Sequence, residues 1–549
     1  LMGAAAAAAS AGGGDFYDYQ IANSIKFNGT SQALEKTWGS AASDNNKKAL
    51  SFWIKRSGNG NSAFGSTTNT KMVSANEFNL LQINTGNPSG YSDQFGYDFN
   101  NGNNGNWFLA KWRDPSAWMH IIWIWNSDES TAVDRLKFYV NGVNYVVNNS
   151  TYFNNKYGNP YPASGEDSTF GKNGMEMHIA RYHYNNAEWW GGQMADFIMI
   201  DGAASYTDFG EFKNGVWKPV DPSGLTFGNN GFHLNFASSG DLGNDVSGNN
   251  NDFGVVGSIP ASAQSLDSPT FNSDSNGGNY CIMNPLSSGS NNTFSEGNLK
   301  VTNSSGGCTA LGTMSLVTGH KWYFEGKCTG SGNNWIGIIE ENGYTNSANT
   351  NSSIAGSGSF NTYLYGYNGL IYYGSSSAST GATFGSGDIM GVLVDLESGT
   401  NTIQFYKNGT AQGSAFNLTG TGINYTPMSD RGSGSGDGFW FNFGQEGTFG
   451  TGSGGGNSDA TGYGSFYYDD GAAAKAICTG NLPVADAIDP AQTDDNFPQK
   501  MFSPLIWTGD GNNSRAITGL GFQPDWLWFK SRSSAFSNRL YDTSRGISS

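Results

Sequence analysis

The chain has 549 residues, of which 79 are glycine; 14% are aromatic and only 13% charged, with a formal net charge of −17. A disordered chain is poor in aromatics and rich in charge, and a helical bundle is rich in Ala, Glu, Lys and Leu and poor in Gly, so both classes are excluded. The acidic balance repels phosphate backbones and anionic bilayers, which argues against nucleic acid and membrane partners, and no stretch approaches the roughly 20 apolar residues of a membrane span.

The length predicts about three domains. Residues 1–20, with Ala4 to Ala9, lack the basic start and long apolar run of a signal peptide and read as a small-residue arm. Short apolar runs broken by Gly, Asn and Ser then replace helical periodicity, the pattern of an all-β protein. In Ala49 to Arg56, Leu50, Phe52 and Ile54 alternate with Ser51, Trp53 and Lys55. Met119 to Trp125 is almost wholly apolar and predicts a central strand covered on both faces. Leu136, Phe138 and Val140 alternate towards Asn141-Gly142, and Val143, Tyr145 and Val147 lead back; Asn-Gly between alternating residues is the strongest short-range hairpin signal. These elements place a first antiparallel β-sandwich over 21–257.

A Ser, Asn, Pro and Gly-rich stretch at 258–296 reads as a linker. The same strand-turn-strand unit returns in a second sandwich over 297–449, where the apolar strand Ile389 to Val394 precedes Phe405-Tyr406-Lys407-Asn408-Gly409. Residues 450–496 read as a Gly/Ser-rich connector, and 497–549 as the start of a C-terminal β-rich module, with Ile506-Trp507-Thr508 and Trp526 to Lys530. Cys308 and Cys328 are equidistant from Thr318 in what reads as a hairpin, so they would face each other as two buried thiols or as a disulfide.

The segment from about Ile25 to Val256 resembles the LamG branch of the concanavalin A-like superfamily, through Phe27-Asn28-Gly29, Leu50 to Lys55, Trp118 to Ile121, Phe138 to Gly142 and Gly192 to Phe197. Residues Gly297 to Gln445 resemble a SPRY domain, another sandwich of that class, through Lys321 to Glu325, Trp335 to Ile338, Gly366-Tyr367, Gly391 to Asp395 and Phe439 to Gln445. The order of the two, followed by Ile517 to Asp525 and Lys530 to Ser534, is similar to large virion proteins of marine tailed phages. The resemblance implies two concanavalin A-like jelly rolls in tandem, in a tail fibre, appendage or other virion component assembled in the host cytoplasm. Its expected partners are other virion proteins and host surface polysaccharide. Avidity favours several copies of a weak glycan site, and the Ala/Gly arm suits side-by-side association, so a homotrimer is expected.

Glycosidases of this fold class carry Glu-x-Asp-x-(x)-Glu on one strand, because retaining hydrolysis needs two nearby carboxyls. The sequence has no such triplet: Glu340 and Glu341 are adjacent and point to opposite faces, and Asp395 and Glu397 sit at a turn. The five histidines accompany neither a nucleophile elbow nor a His-Glu-x-x-His pattern, and His120, inside an apolar strand, reads as a satisfied core residue. Neither catalytic residues nor a cofactor are expected, which leaves a glycan-degrading tailspike without support. A capsid-decorating protein and a secreted adhesin are the other competing readings. No metal site is predicted, although Asp241 to Asp252 concentrates Asp, Asn and Gly and admits two readings, an Asx-rich turn or a Ca²⁺ loop. Sugar sites pair aromatic rings with Asn, Asp and Gln. Tyr182, Tyr184, Asn185, Trp189 and Trp190, with Trp107 after Asn103 to Asn106, have that make-up, and each segment reads as ligand contact, core packing or subunit interface.

Overall fold

The computed structural model describes residues 16–57, 69–76, 82–84, 93–99, 103–146, 153–154, 159–183, 188–213, 215–271, 276–303, 306–341, 354–355, 361–379, 381–418, 423–432, 438–451, 454–483, 502–512, 515–518, 520, 522–532 and 534–544. Contacts divide the chain into two units: the larger contains residues 17–211 and 217–482, and the smaller contains 212–216 and 483–549.

The larger unit is all-β and contains two antiparallel β-sandwiches. In the first, an eight-stranded sheet runs in the order Val143–Asn144, Leu136–Val140, Met119–Asn126, Lys47–Arg56, Gly191–Ile200, Ser24–Asn28, Gln264–Ser265, with Phe232–Leu234 beside Gly191–Ile200. It faces two smaller sheets. One has five strands, from Phe153–Asn154 through Asn104–Phe108, Phe95–Phe99 and Gln82–Asn84 to Asn69–Lys71. The other has four, Gly254–Val256, Ala33–Thr37, Glu176–Ile179 and Val73–Ala75. Leu50, Phe52, Ile121, Trp123 and Phe138 meet Phe95, Phe99, Met177 and Ile179 in the core between them. The outer face of the large sheet is covered too: Ala49, Trp53, Ile122, Ala195 and Ile198 pack under Phe209, Trp217 and Phe227. Covering both faces is why Met119 to Trp125 carries no polar alternation.

The second sandwich pairs a seven-stranded sheet, Met283–Ser288, Cys308–Gly312, Tyr425–Arg431, Asn334–Glu340, Thr362–Gly366, Leu370–Tyr373 and Ser376–Ser379, with an eight-stranded one. The latter runs Asn292–Ser295, Lys300–Asn303, Gly438–Asn442, Lys321–Cys328, Ile389–Asp395, Thr402–Lys407, Thr410–Ala411, with Phe416–Asn417 beside Thr402–Lys407. Phe324, Ile336, Ile338, Tyr365, Val392 and Phe441 fill the space between.

Both Asn-Gly turns form as read; the return strand of the first spans Val143–Asn144, and Val147 lies outside the described residues. Asn141 and Gly142 have φ of 48° and 76°, Asn408 and Gly409 47° and 74°, the left-handed pair a type I′ turn requires. In each sandwich the turn asparagine also grips the start of the neighbouring central strand. Asn141 Oδ1 accepts from the His120 N–H (2.8 Å) while the Asn141 N–H donates to the His120 carbonyl (2.9 Å). Asn408 does the same to Ile389, at 2.8 Å each way. The repeat legible in the sequence is thus a repeat of hydrogen bonding.

Three segments differ from their expectation. Cys308 and Cys328 lie in different sheets and not across one hairpin, because the chain after Gly312 crosses between the layers; all four cysteines are free and buried. Burial pushes the Cys308 thiol up to about 12 and the Cys281 thiol to about 11, which keeps both protonated. The stretch 258–296 is no open spacer: it gives Gln264–Ser265 to the first sandwich and Met283–Ser288 and Asn292–Ser295 to the second. The part of the connector at 457–482 folds onto the second sandwich. There the buried Glu325 accepts from the Tyr467 and Tyr468 N–H groups (2.9 Å each) and from Asn442 Nδ2 (3.1 Å). Burial raises its carboxyl to about 7 against those donors.

Between the sandwiches the chain runs through a buried polar knot. Lys55 Nζ donates to Asp267 Oδ2 (2.7 Å), Asn279 Oδ1 (2.6 Å) and the Tyr280 carbonyl (2.9 Å), while Asp267 Oδ1 accepts from Trp118 Nε1 (2.9 Å) and the Tyr280 N–H (3.3 Å). In the smaller unit, Trp526–Phe529 and Arg539–Asp542 form a two-stranded hairpin with Trp528 exposed.

Replacing Asp267 with Ala strands a buried ammonium group and is expected to cost about 3–5 kcal/mol. The double replacement Lys55→Met with Asp267→Leu should recover only part of this, because Trp118 Nε1 and the Tyr280 N–H still lack their acceptor. Denaturant unfolding of the three proteins checks both statements; full recovery in the double variant would show that the ion pair alone matters.

Candidate ligand-binding face

The strand Glu176–Ile179 turns Met177 and Ile179 into the core, so Glu176 and His178 lie on its other side. Glu35 is directly opposite His178 on the neighbouring strand, and Ser74 flanks it on the other side. After Ile179 the backbone takes a left-handed step at Ala180 (φ 70°) and leads into Arg181 and Tyr182.

Here two partly exposed rings each meet a cation held by an acid. The Arg181 guanidinium lies 5.5 Å from the centre of the Trp189 ring, and its Nη2 is 3.4 Å from Glu35 Oε2 and 3.1 Å from His178 Nδ1. Lys71 Nζ lies 5.5 Å from the centre of the Tyr182 ring and 3.4 Å from Glu188 Oε2. Burial, reinforced by Arg181, lowers His178 to about 4; burial also lowers His183 to about 4. Both imidazoles are therefore neutral at neutral pH. Flat apolar faces rimmed by charged donors and acceptors match what a sugar or another polar ring offers.

Of the aromatic and polar residues expected at such a site, Tyr182 and Trp189 lie on this face. Tyr184 and Asn185 fall outside the described residues. Trp190 and Trp107 are corrections: they are 1% and 0% exposed and present no surface to a ligand. Trp190 packs edge-on against Phe27 and over Gly192, where a Cβ would come within 2.6 Å of the indole. The ring of Trp107 covers Gly96 in the same way. Aromatic composition does not distinguish a ring laid on a sheet from one laid inside it. Sequence reading missed Lys71, Arg181, Glu35, Glu176 and His178; the alternation Glu176-Met177-His178-Ile179 was the available signal, but the partners are over a hundred positions apart.

The other candidates resolve into structural roles. His120 Nδ1 accepts from Trp217 Nε1 (2.9 Å), which leaves the proton on Nε2, 2.7 Å from Ser51 Oγ, and the ring stacks on Trp53 at 4.4 Å. A serine nucleophile needs a histidine whose Nε2 is free to take its proton and whose Nδ1–H meets a carboxylate; this pair has an indole donor there instead. In the loop 241–252, Asp245 Oδ1 accepts from the His233 and Ser247 N–H groups (2.8 and 2.9 Å) and Oδ2 from the Asn251 N–H and Ser247 Oγ (2.8 and 2.9 Å). Its oxygens are taken up by the turn.

A family model described as the SPRY domain matches residues 321–446, and the second sandwich is a SPRY-like β-sandwich. A model described as a domain of unknown function, DUF7483, matches residues 497–549. No curated protein matches the chain. Among solved structures, the SPRY domain of human HERC1 is 17% identical, with 29% of this chain and 96% of that one covered and a TM-score of 0.24. A human SPRY domain is 20% identical, with 26% and 89% covered and a TM-score of 0.21. A heptameric SAP-like pentraxin of Limulus polyphemus is 15% identical, with 34% and 80% covered and a TM-score of 0.23.

Two measurements check this geometry. Trp190→Ala and Trp107→Ala should each lose about 3–5 kcal/mol of stability as core truncations, whereas Trp189→Ala should leave the melting temperature within a few degrees; equal losses in all three would place Trp189 in the core as well. Burial lowers His120 from 6.5 to about 3, so the unfolded chain binds a proton there at a higher pH than the folded one. That residue removes stability as pH falls from 6.5 towards 3. His120→Gln should therefore flatten the acid limb of a stability–pH curve, and an unchanged slope would show that the ring titrates normally.

Proposed function

We propose that the protein is a non-enzymatic virion component of a tailed phage, a tail fibre or appendage whose LamG-like and SPRY-like sandwiches contact host surface glycans or neighbouring virion subunits. The observation that carries the reading is the pair of partly exposed rings, Tyr182 and Trp189, on one rim of the first sandwich with Arg181 and Lys71 over them. Stacking places the apolar face of a sugar on such a ring, and the guanidinium, ammonium and carboxylates around it match hydroxyl groups. Loops and rims at strand ends are where rigid β-scaffolds carry binding residues. The motif order of the whole chain supports the virion setting. A glycan-degrading enzyme is the weaker reading, because Ser51 and His120 are oriented for packing and Asp395 caps a turn through the Glu397 and Ser398 N–H groups (3.0 and 3.1 Å).

A single ring–sugar stack contributes about 1–2 kcal/mol, in line with other aromatic contacts, so useful adsorption needs several copies, and the assembly proposed is a homotrimer. The test is adsorption of the purified protein to host polysaccharide, with the assembly mass measured on the same sample. A trimer is expected, with adsorption weakened about tenfold in Trp189→Ala at unchanged melting temperature and no release of reducing ends. Undiminished adsorption by this variant would move the site elsewhere, a monomer would remove the avidity argument, and turnover would overturn the non-enzymatic reading.

A further inference from the structure

Glu35, Glu176 and His178 each bring one ligand atom to within 4.8 Å of the others. The three sit on two paired strands whose opposite face is locked into the core, so their Cα positions are fixed by the sheet register. The His178 side chain is wholly buried, yet its two ring nitrogens face carboxylates, Nε2 at 3.1 Å from Glu176 Oε2 and Nδ1 at 3.6 Å from Glu35 Oε2. We propose that Glu35, Glu176 and His178 form a binding site for a divalent metal ion of the zinc class, which borders the proposed glycan face through Arg181 and Glu35 but does not rest on the glycan reading.

The donor set selects the ion. One imidazole with two carboxylates suits a borderline ion such as Zn²⁺, while Ca²⁺ and Mg²⁺ take six or more oxygens and leave imidazole aside. Zinc bonds of about 2.0–2.2 Å to nitrogen and oxygen put neighbouring ligands of a tetrahedron about 3.4 Å apart. The His178–Glu176 contact is already close to that spacing. The imidazole is held by its surroundings, whereas the glutamates are 41% and 39% exposed and close the remaining distance by rotating. Three protein ligands leave a fourth position open to water or to a bound molecule.

Charge points the same way. Arg181 Nη2 lies 3.4 Å from Glu35 Oε2 and 3.1 Å from His178 Nδ1, with its guanidinium carbon 5.5 Å from the centre of the Trp189 ring. A divalent ion replaces that partial neutralisation at closer range and frees the guanidinium. The Asp241 to Asp252 loop, richer in acids, makes the contrast: backbone donors already occupy both oxygens of Asp245.

The test is calorimetric titration of the full chain with ZnCl₂, with MgCl₂ as the contrast, alongside Trp fluorescence. One Zn²⁺ per chain is expected with micromolar affinity, little Mg²⁺ binding, and a fluorescence change as Arg181 leaves the Trp189 ring. Glu35→Gln and Glu176→Gln should each weaken Zn²⁺ at least about tenfold, the scale on which even residues behind metal ligands act. His320→Gln, on the other sandwich, should bind as the parent does. Both glutamate variants alter exposed side chains, and circular dichroism confirms their folding before titration. Absence of Zn²⁺ binding, an affinity unchanged from the parent in either glutamate variant, or loss of binding in His320→Gln overturns the proposal. Failure of glycan adsorption with Zn²⁺ binding intact would reject the receptor reading and leave the metal site standing.

Discussion

The larger unit depends on how one buried ammonium group is satisfied. Lys55 lies on the large sheet of the first sandwich, and its charge is wholly removed from water. An isolated buried charge costs many kcal/mol, so the ammonium needs a full set of acceptors. Asp267, Asn279 and the Tyr280 carbonyl supply them, all from the crossing segment between the sandwiches. That segment cannot leave without stranding the charge, and its ends are strands of the two sandwiches, Gln264–Ser265 before and Met283–Ser288 after. Around the knot the contacts extend the seam: Lys26 lies 3.6 Å from Glu296 and 5.3 Å from the centre of the Trp440 ring, and Asn298 Nδ2 donates to the Arg56 carbonyl (3.3 Å). A stretch that composition marks as a linker is therefore the element that fastens two sandwiches into one unit.

The same chemistry recurs wherever the chain leaves its sheets. An all-β fold with long connections exposes many backbone N–H groups that no strand partner satisfies. Buried carboxylates collect them. Asp201 accepts from the Ser43 and Asn230 N–H groups and pairs with Lys48, and Asp459 accepts from the Gly464 and Ala476 N–H groups. Hydrogen bonds to a charged acceptor contribute about 1.5–3 kcal/mol each, which offsets the desolvation of the carboxylate. With only 13% charged residues in the chain, a good part of that charge organises loops and is not spread over the surface.

This explains what the sequence could and could not reveal. Periodicity was enough for the strands Lys47–Arg56, Met119–Asn126 and Leu136–Val140 and for both Asn-Gly turns, because those features arise from neighbours in the chain. The crossing segment and the connector were illegible because their partners lie up to hundreds of positions away, as between Ser24 and Asp267 or Glu325 and Tyr467. Cys308 and Cys328 misled for the same reason: symmetric spacing about Thr318 suggested a hairpin, but consecutive strands of a sandwich can belong to opposite layers. At the candidate face, the run Tyr182 to Trp190 was visible as composition, whereas the strands that bring Glu35 and Lys71 to it were not.

Trp189 and Trp190 show how core and surface cooperate at that face. Trp189 makes an isolated bridge to Lys71, and in extended backbone successive side chains point to opposite sides. The Trp190 N–H donates to the Ala180 carbonyl (2.9 Å), and its indole is sealed between Phe27 and Gly192. With Trp190 fixed inward, Trp189 faces outward, where Arg181 lies over its ring. Glu188, next to Trp189, takes a left-handed backbone conformation (φ 56°) and meets Lys71 with its side chain. The buried tryptophan thus acts on the face as a positioning residue: it contacts nothing outside the protein, and it fixes which way the exposed ring points.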